Sequence, residues 1–313
     1  MATSVYFAHV TDLHISERDQ SWSTVSRLAS ELFVEAVEQL NRLDGLDFVL
    51  LTGDVLDTAS RGEVAEFQRI VADLDRAWHF IPGNHDGFVD PHFPDALRPE
   101  EAVSLIDPRL ADPLPVAQRA WWSRSIRPGV QLIGLDSRLA DDWDGVVSPP
   151  QMKWLSSQLE DHRDDLVILT VHHPLHALGE HNFRGRFTKF ICSNGAEVEA
   201  LLDRHPNVRL VLSGHHHANH LSLANGGKRL HVCTTALSGY QCVFRTIRLT
   251  QSGGGWQTSV LTHSVATPDE LKRAFDVAMA DRMAYEYNPD NPRAWADFCA
   301  GRPEDLTFDG LLD

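Results

Sequence analysis

Five short stretches of this chain carry side chains that ligate metals: Asp12-Leu13-His14, Gly53-Asp54, Gly83-Asn84-His85-Asp86, His172-His173-Pro174 and Gly214-His215-His216-His217. Zinc, manganese and iron(II) accept imidazole nitrogen and carboxylate oxygen together. A carboxylate can also bridge two ions, and an Asn carbonyl oxygen is a good hard ligand. Together the stretches supply enough N and O donors for two metal ions. Asp12 and His14 are two apart, as are His215 and His217, so on an extended strand each pair points to one side and converges on one centre. Gly53 and Gly83 let the backbone before Asp54 and Asn84 crowd close to an ion. Each stretch alone has an ordinary reading. Asp-x-His is a common accident, Gly-Asp a turn, Gly-Asn-His-Asp a polar loop, His172-His173 a packed strand end, and three successive histidines a solvated loop. Five such stretches, each at or just after a separate strand, are hard to obtain by accident, and α/β folds put their sites at the C-terminal ends of strands.

The elements that must position them alternate between strand and helix. Val5 to Val10 reads as a strand. Ser23 to Leu43 carries Val25, Leu28, Leu32, Ala36 and Leu40 on one helical face, stopped by Gly45. Leu46 to Leu51 is an apolar run fitting a strand buried on both faces. A helix over 61–77 and a short strand over 78–81 follow. Gly87 to Gly129 is irregular, rich in proline, and carries Trp121-Trp122; it reads as an insertion or cap with one helix from Pro99 to Ile106. The tryptophans are expected to pin it to the core rather than to form an apolar substrate wall. Strands are expected at 130–135, 166–171 and 208–212, with helices at 151–163 and 194–205. Four more strands follow, at 221–224, 229–235, 240–249 and 256–263, with Asn225-Gly226-Gly227 as a hairpin turn. Thr267, before Pro268, is the expected N-cap of a helix reaching Tyr285, and Trp295 and Phe298 are docking residues in a polar tail. The domain division read from this is 1–265, containing the 87–129 insertion, and a C-terminal helical tail over 266–313.

The composition is that of an ordinary globular protein: 313 residues, 42% hydrophobic and 23% charged. The net charge is −16, from 44 acidic against 28 basic residues, which opposes a broad nucleic-acid footprint. No run approaches the ~18 apolar residues of a membrane span. The N-terminus opens almost directly into a strand, so no signal peptide is expected. Cys192, Cys233, Cys242 and Cys299 are scattered and lack C-x-x-C spacing. They read as reduced thiols of a cytoplasmic protein, with a Cys233–Cys242 pair as the lesser alternative.

The ordered series Asp-x-His, Gly-Asp, Gly-Asn-His-Asp, His-His, Gly-His-x-His resembles the calcineurin-like metallophosphoesterase superfamily. The Gly-Asn-His-Asp and His-His-Pro forms resemble its class III cyclic nucleotide phosphodiesterase and glycerophosphodiesterase branch. The resemblance implies an α/β fold, a four-layer α/β/β/α sandwich of two mixed β-sheets flanked by helices, with the strands from Leu221 to His263 in the second sheet. It implies two divalent metal ions (Mn, Fe or Zn). Asp12, His14, Asp54 and His217 would hold one and Asp54, Asn84, His172 and His215 the other, bridged by Asp54. His172 is chosen over His173 because it directly follows its strand. His85 would be the catalytic histidine, Asp57 would stand behind the ligands, His216 would not be a ligand, and Asp86 would support its loop. His176, Arg184 and Asn219 are candidate substrate contacts, with His181, Arg186, His220 and Tyr240 as further loop residues near the motifs.

Two ions held by two carboxylates leave about +2, matched to a phosphodiester and a hydroxide. The implied reaction is attack of that hydroxide on phosphorus, with His85 assisting the leaving group. The expected substrate is a small cyclic nucleotide or glycerophosphodiester. Phosphomonoester or phospholipid diester hydrolysis on the same fold is the alternative. A non-catalytic metal-binding scaffold is the alternative of a different class, opposed by the complete ligand set and His85. An exonuclease role is opposed by the acidic balance. The resemblance also implies a homo-oligomer.

Overall fold

The computed structural model describes residues 3–18, 23–87, 94–110, 120–139 and 141–313. In chain order the elements are β1 (Ser4–Val10), α1 (Ala29–Arg42), β2 (Phe48–Leu51), α2 (Arg61–Val71), β3 (Trp78–Phe80), α3 (Pro99–Ile106), β4 (Trp122–Arg127), β5 (Val130–Leu135), α4 (Pro149–Asp161), β6 (Leu166–Val171), α5 (Gly195–Leu202) and β7 (Val208–Ser213). They continue with β8 (His220–Ala224), β9 (Arg229–Cys233), β10 (Val243–Ser252), β11 (Gly255–Ser264), α6 (Pro268–Ala280), α7 (Arg282–Tyr287), α8 (Arg293–Ala300), α9 (Pro303–Leu306) and β12 (Phe308–Leu312).

Two six-stranded mixed sheets result, ordered β12-β11-β10-β1-β2-β3 and β4-β5-β6-β7-β9-β8, flanked by helices. The strands that lead into the candidate stretches, β1, β2, β3, β6 and β7, lie in parallel runs: β1 with β2, β2 with β3, and β6 with β7 between their parallel neighbours β5 and β9. Their C-terminal ends therefore fall on one edge of each sheet. The largely apolar runs of β2, β5 and β6 are buried along their whole length, Gln131 and Thr170 included, as strands covered on both faces must be. The larger core joins the side chains of α1 and α2 to both sheets through Phe7, Phe33, Phe48, Phe67, Ile168, Leu210, Leu230 and Val232. A second core, including Leu135, Leu155, Leu169, Val198 and Leu202, lies beneath α4 and α5 on the other side of the second sheet.

Three features depart from the sequence reading. The late strands are divided: β8 and β9 extend the second sheet, whereas β10 and β11 join the first, antiparallel to β1. Alternating hydrophobicity marks a strand but not its partner. The segment read as irregular contains β4, an antiparallel edge strand whose half-buried Arg124 and Arg127 reach His79 and the Ser4 carbonyl of the first sheet. Trp122 anchors this strand, its indole N–H donating to the Phe80 carbonyl at 2.9 Å. Residues 88–93 and 111–119, the remainder of the expected cap, lie outside the described residues. The tail is not helical throughout, since β12 pairs with β11 and completes the first sheet. The helix expected from Thr267 does start with a Thr267–Glu270 capping box. It stops at Ala280, where Asp281 accepts from the Met283 N–H and caps α7 instead. All four cysteines are buried free thiols. Among the described residues no helix is long and apolar enough to cross a membrane.

Candidate metal centre

The first stretch follows β1, and its backbone runs beside the stretch that follows β2. The Asp12 N–H donates to the Gly53 carbonyl and the His14 N–H to that of Asp54, both at 3.0 Å. Neither pair of ligands two residues apart is on an extended strand. Asp12, His14, Asp54, His215 and His217 all have positive φ, between 47° and 61°. Five non-glycine residues in this sparsely populated region are a concentration of backbone strain of the kind that marks functional sites. Asp12 and His14 are brought into one group by left-handed turns rather than by strand alternation, whereas His215 and His217 face different groups.

Close approach of the loops requires glycine. A Cβ on Gly83 would lie 2.2 Å from Asp54 Oδ1, and one on Gly214 would lie 2.2 Å from Asp12 Oδ2. A Cβ on Gly53, whose φ is +99°, would lie 2.5 Å from the Gly83 nitrogen. The glycines thus admit the neighbouring loop and its carboxylate. Asp86 fastens the same loops from below: its carboxylate accepts from the N–H groups of Val55, Leu56 and Gly83 at 2.9–3.1 Å. Burial and the charge of Asp54 push this carboxyl up to about 7.

Two groups of donors stand side by side, Asp12 with His14 and His217, and Asp54 with His172 and His215. In the first group the Nε2 atoms of His14 and His217 are 3.1 Å apart, and Asp12 Oδ1 lies 3.3 Å from His217 Nε2. Ligands about 2.0–2.1 Å from a tetrahedral ion are separated by roughly 3.3 Å. Asp54 Oδ2 reaches both groups, at 3.1 Å from His172 Nε2 and 3.8 Å from His14 Nε2, while its Oδ1 accepts from the His85 N–H at 2.7 Å. Burial raises both carboxyls, but facing imidazoles outweigh it. His217 and His172 lower Asp12, and His172 and His85 hold Asp54 well below the usual carboxylate range.

The rings are held by bonds that leave one nitrogen facing the group. His172 donates from Nδ1 to the Thr52 carbonyl at 2.7 Å, and its buried Nε2 has no hydrogen-bond partner. His215 donates from Nε2 to the Lys189 carbonyl at 3.1 Å. Asp57 Oδ1 stands 3.6 Å from His14 Nδ1, behind the ring. Asn84 Oδ1 is likewise buried without a partner. An unpaired buried acceptor is costly unless a cation meets it. The residues present thus fit a pair of divalent ions. The two nitrogens of His173 face other partners, Ser137 Oγ at 2.8 Å and the Trp143 carbonyl at 3.3 Å. His85 lies beside the first group, its ring 4.8 Å from that of His14, with Nδ1 donating to the Asp57 carbonyl at 2.7 Å.

The loop residues expected to reach a substrate are instead engaged elsewhere, most of them with the C-terminal segment. Arg184 donates to the Tyr287 carbonyl and Arg186 pairs with Glu286. Asn219 is buried, donating to the Ala300 carbonyl while its Oδ1 accepts from Arg245 and from the Thr235 N–H. His220 faces Asp305, and Tyr240 packs on Phe275. His176 bonds to Ser222 and belongs to a separate cluster with Glu199 and His231. His216, between two ligand candidates, turns away into a buried aromatic box with His181, Phe190, Trp295 and Phe298. The docking role read for Trp295 and Phe298 thus has a definite target. Thr52, Lys189 and Asp305 escape a reading of the sequence because they act through backbone atoms or through folding contacts, which leave no motif. His9 escapes it as well; its ring joins Thr52 of the first sheet to Thr234 beside the second, at 2.8 and 2.9 Å.

Over residues 5–219 the sequence matches the calcineurin-like phosphoesterases, and the chain belongs to that family. It is 27% identical over 218 residues to a 3',5'-cyclic-nucleotide phosphodiesterase of Nostoc sp., covering 68% of this chain and 71% of that one. It is also 27% identical to the glycerophosphodiester phosphodiesterase GpdQ of Enterobacter lignolyticus, covering 67% and 70%. To the 3',5'-cyclic adenosine monophosphate phosphodiesterase CpdA of Escherichia coli K12 it is 25% identical, covering 77% and 79%. A dimetal phosphatase from Danio rerio superposes with a TM-score of 0.63 at 17% identity, covering 84% of this chain and 96% of that one. This last likeness concerns the fold.

Proposed function

We propose that the chain hydrolyses small phosphodiesters, with a cyclic nucleotide or a glycerophosphodiester as substrate. The observation that carries this reading is the position of Asp54 Oδ2 within reach of two imidazole groups, 3.1 Å from His172 Nε2 and 3.8 Å from His14 Nε2; Asn84 Oδ1, in the loop that follows β3, is buried without a partner. Asp12, His14, Asp54 and His217 would hold one ion, and Asp54, Asn84, His172 and His215 the other. A pair of Mn, Fe or Zn ions supplies Lewis acidity toward phosphoryl oxygens and acidifies water. The chain's own residues do the rest. The carbonyls of Thr52 and Lys189 fix the tautomers of His172 and His215. With Nδ1–H donating to the Asp57 carbonyl, His85 would exchange a proton with the leaving oxygen through Nε2. The names of the Nostoc, Enterobacter and Escherichia relatives support a diester substrate.

The test is a panel of cyclic nucleotides, glycerophosphodiesters, phospholipids and an aryl phosphomonoester, assayed with Mn(II)-reconstituted protein. Preferential turnover of a small diester is expected. Faster turnover of the monoester or the phospholipid would replace this substrate class with that one. Full metal loading without turnover of any phosphoester would make the protein a metal-binding scaffold.

A further inference from the structure

A second constellation of metal-ligating side chains lies on the helix-covered face of the second sheet. β9 presents Leu230 and Val232 to the larger core, so Arg229 and His231, on the opposite face, point toward α5. Ser222 of β8 is the register partner of His231. Glu199 comes from α5, and His176 from the loop after β6. One ligand atom each of His176, Glu199 and His231 lies within 4.8 Å of the others. The rings of His176 and His231 meet edge to face, with centroids 4.6 Å apart.

Glu199 divides its two oxygens. Oε2 accepts from Arg229 Nη2 at 2.6 Å, whereas Oε1 is buried, without a hydrogen-bond donor, 3.3 Å from His231 Nε2. A carboxylate with one oxygen fixed by a guanidinium and the other turned toward imidazoles is arranged as metal-ligating carboxylates are. The local charge favours a cation. Arg229 is opposed by both Glu199 and Asp203, the latter at 2.7 Å, so one negative charge is left over. Both histidines are neutral, the form that binds metal: burial, with neighbouring imidazoles and Arg229 adding to it, pushes His176 down to about 4 and His231 well below its ordinary value. Ligation of His231 would replace the long 3.3 Å contact from Arg229 Nε and leave the Arg229 bonds to both carboxylates in place.

We propose that His176, Glu199 and His231 form a third divalent-cation site, separate from the paired centre and of a two-imidazole, one-carboxylate composition suited to zinc(II). Occupied, it ties the loop that follows His172 to α5 and β9. Ser222 Oγ, 2.9 Å from His176 Nε2, is the neighbouring oxygen.

The test uses the full chain, stripped with chelator, reloaded with zinc(II) and desalted. Anomalous diffraction at the zinc edge is expected to give a peak among His176, Glu199 and His231, apart from any peak at the paired centre. Glu199→Gln, which keeps an acceptor for Arg229, and His231→Gln are each expected to lower bound zinc by one per chain. Both should leave diester hydrolysis within twofold of the parent. No anomalous peak at this cluster overturns the proposal, whatever the variants do. So does a zinc content unchanged in a folded Glu199→Gln or His231→Gln protein. Failure of the hydrolase reading would appear separately, as lost turnover with this peak present.

Discussion

Gly83→Ala probes the crowding of loops on which the paired centre depends. The added Cβ would sit 2.2 Å from Asp54 Oδ1 and 2.5 Å from the Asp54 nitrogen. Carbon and oxygen do not approach so closely in packed interiors, and reaching 3.0 Å requires a displacement of at least ~0.8 Å. The backbone at Asp54 is already held by the His14 N–H, and its Oδ1 by the His85 N–H, so relief by a simple side-chain rotation is blocked. The carboxylate that reaches both imidazole groups must therefore move. A misplacement on the order of 1 Å costs on the order of 10²-fold in rate, about 2.7 kcal/mol of transition-state stabilisation, and overpacking costs a further 1–3 kcal/mol or so of fold stability. The assay is kcat/KM on an aryl phosphodiester with Mn(II)-loaded protein, alongside metal content and a thermal melt. A folded Gly83→Ala protein with full metal content and kcat/KM within twofold of the parent would refute the reasoning.

Other substitutions test separate parts of the site. Asn84→Ala and His217→Ala are each expected to strip metal and nearly all turnover, read by elemental analysis and diester hydrolysis. His85→Ala is expected to keep its metal while losing about 10²–10⁴-fold in rate, most with poor leaving groups; loss of metal instead would show the role to be wrongly assigned. Trp295→Ala, which opens the buried box around His216, is expected to cost about 3–5 kcal/mol in denaturant unfolding and to weaken metal retention. Asp305→Asn tests the docking of the C-terminal segment. Burial raises the Asp305 carboxyl, but Arg302 and the N–H groups of Leu221 and Arg302 outweigh it and hold it below its ordinary value. A lowered folded-state value means stabilisation that is complete above the unfolded value and disappears as pH falls through the folded one. Parent and variant should therefore differ in melting temperature at neutral pH and converge in strong acid.

The parts of the fold most legible in the sequence were those where one residue property decides the outcome. The runs that became β2, β5 and β6 are buried at every position, and their near-continuous apolar character leaves a doubly covered strand as the economical reading. β12 was hidden because Phe308-Asp309-Gly310-Leu311-Leu312 is short and interrupted by Asp and Gly, so its pairing with β11 comes from tertiary context. The allocation of β10 and β11 to the first sheet was hidden for a related reason, since a strand's pattern specifies its faces and not its neighbour. At the site, residue types and order were readable, and the structure places Asp12, His14 and His217 in one group and Asp54, His172 and His215 in another. The means was not readable: alternation suggested extended pairs, whereas positive φ at both members of each pair does the aiming. The partners of the surrounding polar residues were not readable, because proximity in sequence to a motif says nothing of which surface the C-terminal segment will cover.

The interleaving of early and late strands in the first sheet has a consequence for biosynthesis. β1 and β2 deliver Asp12 and Asp54, yet β1 lies hydrogen-bonded between β2 and β10, a strand that begins at Val243. As the chain leaves the ribosome, the segment bearing the first ligands must wait with an unsatisfied edge until that distant strand emerges. A nascent chain stalled before Val243 would therefore offer a sticky strand border to chaperones, with Asp12 and Asp54 carried on strands whose sheet is still open.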